Sequence, residues 1–372
     1  MSEGCLFTRS AGITGVGCGF PFERILSFQP QLIMNLQDDR YTKFGLTRDM
    51  LATPEIVRSF QPDCVSEAAA AIAQVGRLLL TGEGSSRIFP AKSVMQHASR
   101  QGWNLTLRTE AGRQAQEYNL SDWAVFALSN SGRTAEVIGL FKKLAEGGHQ
   151  HRYSLTAFAD SMLESLANKG YVLTCGKEGA VAATKSVVEQ ALFYRALLEA
   201  TVGQKSLAGR LDELASHMQT ALTTQIDPQL TEKIARAGTI YWAGRNDGVV
   251  EELTLKTNEI TRKAADYLEG TYAVHGIEEV MQADDVVLWV DPYPDSEEKF
   301  AEVLGKGVGM TIIAIADRDT LFPTIRVPSA GDLAPFVQMC AGWNVLVEVG
   351  LCLGIDLDTP QRARKVGNEF TG

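Results

Sequence analysis

The chain has 372 residues, of which 45% are hydrophobic and 22% charged, and its formal net charge is -10. These values predict a globular protein with a sizeable core and either one large domain or two ordinary domains. The negative charge excludes broad nucleic-acid binding, which needs a basic surface, but it permits a local site for a small anion.

The amino-terminal residues lack the charged-then-apolar pattern of a signal peptide, and no apolar run reaches the roughly 18 residues of a membrane span. The six cysteines are scattered, with no C-x-x-C pair and no metal-ligand spacing with the five histidines. We therefore expect a cytoplasmic protein with free thiols, no metal, no cofactor and no membrane or nucleic-acid partner.

The first 50 residues are rich in glycine and proline and predict an irregular leader with one short helix. The stretch "TPEIVRSF" predicts the start of a longer helix, with Thr53 as its N-cap and Pro54 at the first helical position. Short apolar segments then alternate with helical patterns: RLLLTG, NLTLRT, WAVFAL, RYSLTAFA and YVLTCG. Strands that alternate with helices of this length indicate a parallel sheet covered on both faces.

The second half of the chain repeats this order. "GTIYWAGRND" mirrors "GRLLLTGEGS", and "DDVVLWVDPYPD" mirrors "DWAVFALSNSGRT". Such internal similarity indicates a duplication at the level of the fold. We predict an α/β protein with two doubly wound, flavodoxin-like parallel-sheet units in tandem: a leader (1–50), a first unit (51–205) and a second unit with the carboxyl-terminal tail (206–372).

The loop "SNSGRT" follows a predicted buried strand and precedes a helix. Ligands of parallel sheets bind at the carboxyl ends of strands, where a helix N-terminus favours an anion. Ser129, Ser131 and Thr134 supply hydroxyl donors there, and Gly132 permits close approach of the backbone. The loop therefore predicts a phosphate site, although a capped helix with polar loop residues is the simpler alternative.

A second hydroxyl-rich loop, "GEGSS", ends another strand of the same half, so Ser85 and Ser86 are candidates for the same ligand. In the other half, the loop equivalent to "SNSGRT" reads "DPYPD" and has no serine, which favours a site over a simple cap. Nucleotide binding is not expected, because "GEGSSR" lacks the third glycine of a dinucleotide fingerprint and the chain has no G-x-x-x-x-G-K-[ST] loop.

Three charged side chains share one face of the helix in "EELTLKTNEITRKA": Glu252, Lys256 and Glu259, at positions i, i+4 and i+7. Such a face is usually a solvated row of ion pairs. His275 next to a glycine is typical of a structural histidine, and Lys365 in the tail is typical of a basic surface. Taken singly, none of these residues identifies a reaction.

Four features together resemble the double sugar isomerase (SIS) domain family: "SNSGRTAEVI", "GKEGAVAATKSVVEQ", the spacing from Glu259 to His275, and the tail "GIDLDTPQRARKV". The resemblance covers about residues 50–372 and is closest to the isomerase half of glucosamine-6-phosphate synthase and its stand-alone relatives. Those relatives are sugar-phosphate isomerases, amino-sugar-6-phosphate deaminases and fructosamine-6-phosphate deglycases.

The resemblance implies roles for individual residues. Glu259 matches the carboxylate that moves a proton between C1 and C2 of the sugar, and Glu252 matches a second acid behind it. His275 matches the ring-opening histidine, which the family commonly supplies from the neighbouring subunit. Lys365 matches the tail lysine that meets the carbonyl end of the open-chain sugar. The residues that match the family's phosphate-binding positions are Ser86, Ser129, Asn130, Ser131 and Thr134.

The segment "AVAATK" matches a loop that lines the sugar, with Val181 in that loop and Ala183 where a serine is common. The departure at Ala183 removes a hydroxyl contact from that wall. The synthase also has a glutaminase domain with an amino-terminal cysteine nucleophile. Since Cys5 is not terminal after methionine removal, glutamine-dependent synthesis is not expected.

The resemblance implies a homodimeric enzyme that acts on a hexose or aminohexose 6-phosphate, as an aldose–ketose isomerase or a deaminase, by proton transfer between C1 and C2. The alternatives are a fructosamine-6-phosphate deglycase, an isomerase of a sugar with another anion at C6, and a non-catalytic sugar-phosphate sensor. The retained Glu259, His275 and Lys365 favour an enzyme over a sensor.

Overall fold

Two five-stranded sheets form the frame of the structure, and every pair of neighbouring strands in them is parallel. The computed structural model describes residues 33–362 and 369–370. The residues from Ile33 onward form one compact unit that contains both sheets. The predicted α/β class with parallel sheets is therefore confirmed.

The first sheet has the order β2-β1-β3-β4-β5. Its strands are β1 (Arg77–Gly82), β2 (Thr106–Ala111), β3 (Ala124–Leu128), β4 (Arg152–Thr156) and β5 (Lys169–Val172). The second sheet has the order β10-β9-β8-β6-β7, which is the same order read from the opposite edge. Its strands are β6 (Thr239–Gly244), β7 (Ala264–Glu269), β8 (Val286–Val290), β9 (Thr311–Ala316) and β10 (Thr324–Arg326).

Continuous apolar runs explain the central strands. Every residue of β3 (AVFAL) and of β8 (VVLWV) is buried, as in sheets covered on both faces. The edge strands β7 and β10 were not predicted, because partly exposed and polar residues interrupt their apolar pattern. Packing against an existing sheet edge, rather than a local apolar run, makes these segments extended.

Helices connect the strands. In the first half these are α1 (Asp39–Thr42), α2 (Gly45–Ser59), α3 (Ser66–Val75), α4 (Ile88–Gln101), α5 (Gly112–Ala115), α6 (Ala135–Glu146), α7 (Met162–Leu166) and α8 (Lys185–Thr201). In the second half they are α9 (Leu211–Leu222), α10 (Pro228–Arg236), α11 (Val249–Thr261), α12 (Glu297–Phe300) and α13 (Ala334–Cys352). A π-helix over Ala301–Val308 continues α12.

The predicted N-cap at Thr53 is wrong. Helix α2 begins eight residues earlier, at Gly45, and Pro54 lies inside it. Thr53 is buried, and its hydroxyl donates to the carbonyl oxygen of Asp49 at 3.0 Å. The apolar face of α2 starts upstream, at Leu46 and Met50, and burial of that face outweighs the local cap signal.

One segment, Gly331–Cys352, is long and apolar enough by composition to cross a membrane, but 78% of its apolar window is buried inside the protein. It contains α13, which packs against α9, α10 and α11. These contacts make α13 a buried core helix of the second half.

An ionic network joins the first half to the start of α13. The guanidinium group of Arg195 pairs with Glu199 at 2.7 Å and also contacts Asp332. Asp332 accepts a further bond from Arg210 at 2.7 Å, and the Nδ1 atom of His97 lies 3.5 Å from its carboxylate. Burial lowers the pKa of His97 to about 4, and Arg195 adds to this shift against the opposing charge of Asp332.

His97 is expected to make stability depend on pH. The folded protein keeps this ring neutral down to about pH 4, whereas the unfolded chain protonates it below about pH 6.5, so stability is lost as pH falls between these values. Urea unfolding at pH 7.0 and pH 4.5 gives the free energy of unfolding at each pH. Between these two values, this free energy should fall by about 2 kcal/mol less in His97→Gln than in wild type. Equal losses in the two proteins would contradict this assignment.

Candidate active site

A cavity of about 840 Å³ opens at the carboxyl ends of β1, β3 and β4. This is the edge where ligands of open parallel sheets bind. The strand order places β1 and β3 side by side although β2 lies between them in sequence, so the cavity lies beside the point where the order reverses. Its lining includes Ser86, Asn130, Ser131, Arg133, Thr134, Ala157, Phe158, Ser161, Lys177, Glu178 and Glu369.

The loop between β3 and α6 forms a hydroxyl-lined wall of the cavity. The Ser129 and Thr134 hydroxyl oxygens lie 2.8 Å apart, and the Ser129 oxygen also accepts from the N–H of Gly132 at 3.1 Å. The Ser131 oxygen accepts from the N–H of Arg133 at 3.2 Å. These bonds fix the turn that leads into α6, whose N-terminus favours negative charge.

Close packing against β4 and the loop that follows it holds this loop in place. Gly132 has a φ of +65°, and a Cβ at this position would clash with the side chain of Ser161. The N–H of Ser129 donates to the carbonyl oxygen of Leu155 at 3.2 Å. The buried Oδ1 atom of Asn130 has no hydrogen-bond partner among the described residues, so it is free to accept a hydrogen bond from a water or a ligand in the cavity.

The two serines in the loop after β1, Ser85 and Ser86, contact different neighbours. Ser86 lines the cavity, and its hydroxyl lies 3.5 Å from the Nε2 atom of Gln190. The Ser85 hydroxyl lies 2.8 Å from the Nζ atom of Lys256 on α11. Ser86 therefore faces the cavity, while its neighbour Ser85 contacts the charged face of α11.

The charged face of α11 is an internal cluster. Glu252 and Lys256 are fully buried, so the alternative of a solvated row of ion pairs is wrong for them. The Nζ atom of Lys256 lies 2.7 Å from the Oε2 atom of Glu259 and 3.3 Å from the Oε1 atom of Glu252. Helix α11 packs against α13 and α4, and Ser85 contacts its charged face through Lys256. The Glu259 side chain keeps 26% of its surface exposed.

The electrostatics of this cluster follow from burial and charge. Burial raises the pKa of Glu252, against the opposing effect of Lys256. Burial alone would lower the pKa of Lys256, but the carboxylates of Glu259 and Glu252 outweigh it and hold that pKa above its usual value. Lys256 is therefore a permanent cation that orients the partly exposed carboxylate of Glu259.

The loop between β5 and α8 forms another wall. Lys177 and Glu178 line the cavity. One carboxylate oxygen of the buried Glu178 accepts from the N–H groups of Thr184 and Ser186 at 3.1 and 2.9 Å. Burial raises the pKa of Glu178, partly against these hydrogen bonds. Lys177 and Glu178 are separated from the predicted "AVAATK" segment only by Gly179.

Several predicted site residues lie elsewhere. His275 is exposed, and its Nε2 atom lies 3.3 Å from the Thr271 hydroxyl rather than at the cavity. Val181 donates its N–H to the carbonyl oxygen of Asp358 at 3.5 Å, and Ala183 is half-buried against the core. Lys365 lies outside the described residues. The Ser85 hydroxyl contacts Lys256, which pairs with Glu252 and Glu259. The residues that line the cavity include Ser86, Asn130, Ser131 and Thr134 but not Ser85, Ser129, Glu252 or Glu259.

Sequence reasoning missed part of the site. The loop after β4 (157–162) follows a strand end, and the same rule that identified the serine loops could have found it. The helical spacing places Lys256 between Glu252 and Glu259 but indicates no role for it, because spacing alone does not reveal burial. Glu369 is distant in sequence, and no motif indicated it. Within residues 33–362 and 369–370, no group of three His, Cys, Asp or Glu side chains is placed to hold a metal.

Comparison with known proteins agrees with these features. No protein-family model matches the chain. The chain is 26% identical over 267 residues to the glutamine–fructose-6-phosphate aminotransferase (isomerizing) of Neisseria meningitidis, covering 66% of this chain and 43% of that protein. The chain spans about half the length of the curated relatives it matches.

Solved structures share the fold at low identity. Tagatose-6-phosphate ketose/aldose isomerase from Escherichia coli has a TM-score of 0.71 and 18% identity, over 87% of this chain and 97% of that one. Glucosamine-6-phosphate deaminase from Thermotoga maritima has a TM-score of 0.66 and 15% identity, over 88% and 98% of the two chains. With the curated relative, these likenesses confirm the resemblance to the double sugar isomerase family.

Proposed function

We propose that this chain is a sugar-phosphate enzyme that isomerises or deaminates a hexose or aminohexose 6-phosphate by moving a proton between C1 and C2. The observation that carries the proposal is the contact of Ser85, beside the cavity-lining Ser86, with Lys256, which in turn holds Glu259. A carboxylate positioned in this way next to a hydroxyl-lined anion site suits general acid–base catalysis on the far end of a bound sugar phosphate.

The proposed reaction combines this arrangement with the roles that the family resemblance implies for His275 and Lys365. The 6-phosphate binds the hydroxyl and N–H donors of the loop between β3 and α6, and His275 shuttles the proton that opens the ring. Glu259 takes the C2 proton and returns it at C1 through an enediol or, where C2 carries an amine, an enolamine. Hydrolysis of the resulting C2 imine by water releases ammonia and leaves the ketose. Lys365 meets the carbonyl end of the open-chain sugar.

The proposed protein is a homodimer in which His275 acts in the site of the neighbouring subunit. The exposure of this histidine supports the assignment, as do two apolar neighbours, Tyr272 at 51% exposed and Val280 at 62%. Exposed apolar groups of this kind are typical of interfaces.

The identical strand order of the two sheets supports a tandem duplication of doubly wound units, at 51–205 and 206–372. We place the protein in the cytoplasm, where sugar phosphates are metabolised, and the proposed reaction requires neither metal nor organic cofactor.

The phosphate assignment predicts a binding defect. Replacing Ser131 and Thr134 together by alanine removes two hydroxyl donors, each bond to a charged group being worth about 1.5–3 kcal/mol. Calorimetry should show glucose 6-phosphate binding weakened at least tenfold, while Ser165→Ala, at the same cavity but on α7, should bind within about threefold of wild type. Unchanged affinity in the double variant would contradict the assignment.

The reaction is tested with a panel of glucosamine 6-phosphate, galactosamine 6-phosphate, fructose 6-phosphate and a fructosamine 6-phosphate. Products are scored for ketose or aldose, ammonia and free amino acid. The proposal expects ketose–aldose interconversion or ammonia release from at least one hexose phosphate. Tight binding of these compounds with no product and no hydrogen exchange would support the sensor alternative instead.

A further inference from the structure

The charged residues that line the cavity are Arg133, Asp160, Lys177, Glu178 and Glu369, and two of them, Arg133 and Glu369, lie in or beside the loop between β3 and α6. Arg133 lies between Gly132 and Thr134 in the loop that precedes α6, and this exposed residue lines the cavity. Glu369 comes from the far end of the chain and lines the same cavity. Neither residue was part of the phosphate site inferred from the sequence.

Backbone hydrogen bonds fix both residues next to the serine loop. Thr134 and Glu369 form an antiparallel bridge, and the carbonyl oxygen of Arg133 accepts from the N–H of Phe370 at 2.8 Å. Paired residues of antiparallel strands have Cα atoms roughly 4.5–5.5 Å apart. Glu369 therefore lies directly beside this loop, and it lines the same cavity.

Phe370 anchors this short strand. Its ring packs against the apolar cluster that includes residues of α6, and the Nζ atom of Lys142 lies 3.8 Å from the ring centroid. A cation over an aromatic ring and burial of the ring both stabilise the docked position. Glu369 is thus held at the cavity by its neighbour rather than by its own side chain.

We propose that Arg133 is a further anion-binding residue of this site, and that Glu369 opposes it, so that the two together set the affinity for the anion at C6 of the sugar. This inference rests on the proposed function. The guanidinium attracts the anion and the carboxylate repels it, and both energies scale with the charge of the ligand. Neutral hydroxyl donors carry no net charge, so removing one changes the preference for a doubly charged phosphate ester over a singly charged sulfonate less than removing a full charge does.

The test compares two ligands by calorimetry at pH 7.5: glucose 6-phosphate, which carries close to two charges, and the same sugar with a sulfonate at C6, which carries one. Arg133→Gln should weaken binding about tenfold for the phosphate and about threefold for the sulfonate. Glu369→Gln should strengthen binding by similar factors. High salt should reduce every one of these effects, because the cavity mouth is solvated.

Two matched controls remove one exposed charge each from the second half: Lys233→Gln on α10 and Glu298→Gln on α12. Both should bind like wild type. The role of Arg133 is overturned if Arg133→Gln has the same affinities as Lys233→Gln, or if it lowers the affinity for both ligands by the same factor. The role of Glu369 is overturned if Glu369→Gln binds either ligand more weakly than wild type. If wild type binds neither ligand, the proposed function itself is overturned and this inference with it.

Discussion

Glu259→Gln is expected to lower kcat by about 10²–10⁴-fold, the range for loss of one well-placed general acid–base group. The amide keeps the size of the side chain but cannot accept and return a proton. Because the phosphate binds the opposite end of the sugar, the affinity for glucose 6-phosphate should stay within about threefold of wild type. The direct readout is exchange of the C1 and C2 hydrogens in heavy water, followed by mass spectrometry.

A conservative variant separates chemistry from structure. Glu259→Asp retains a carboxylate at a shorter reach, and it should recover part of the exchange that Glu259→Gln loses. Equal and undiminished exchange in wild type and Glu259→Gln would remove this residue from the mechanism. Loss of sugar-phosphate binding in Glu259→Gln would instead assign the residue to the binding site.

Lys256→Met is expected to lower the free energy of unfolding by about 3–5 kcal/mol at pH 7.5, as when one partner of a buried ion pair is removed. Lys256 is fully buried between Glu252 and Glu259. Its loss leaves the fully buried Glu252 without a counter-charge and releases the carboxylate of Glu259. The same variant should lose turnover, because Glu259 is no longer oriented.

The cause can be isolated by removing the second charge. The double variant Glu252→Gln with Lys256→Met should regain part of the lost stability, since no uncompensated buried carboxylate remains. The stability defect of Lys256→Met should also shrink from pH 7.5 to pH 5, because burial raises the pKa of Glu252 and protonation then relieves the unpaired charge. If neither Glu252→Gln nor the lower pH reduces the stability lost in Lys256→Met, the loss comes from packing alone. Urea unfolding measures each case.

Much of the frame could be predicted from the sequence, because the central strands are continuous apolar runs and such runs require a sheet covered on both faces. The serine loop was recognisable for a similar reason, since hydroxyl residues and glycine between a buried strand and a helix suit an anion. The edge strand β7 and the early start of α2 at Gly45 were not predictable locally. Tertiary packing decides both, and it outweighs cap and propensity signals.

The candidate site was less accessible to sequence reasoning. Spacing placed Glu252, Lys256 and Glu259 on one face, but it could not show that this face is buried against the first half and reaches Ser85. The contribution of Glu369 depends on a contact between residues more than 230 positions apart in the chain. Only the folded chain reveals such neighbours.

A crystal structure of Glu259→Gln with a bound hexose 6-phosphate tests the central claim most directly. The account predicts the phosphate at the loop of Ser129, Ser131 and Thr134, with the side chain of residue 259 about 3 Å from C1 or C2. A phosphate bound elsewhere, or a sugar whose C1 and C2 lie beyond reach of that side chain in every copy, would contradict it.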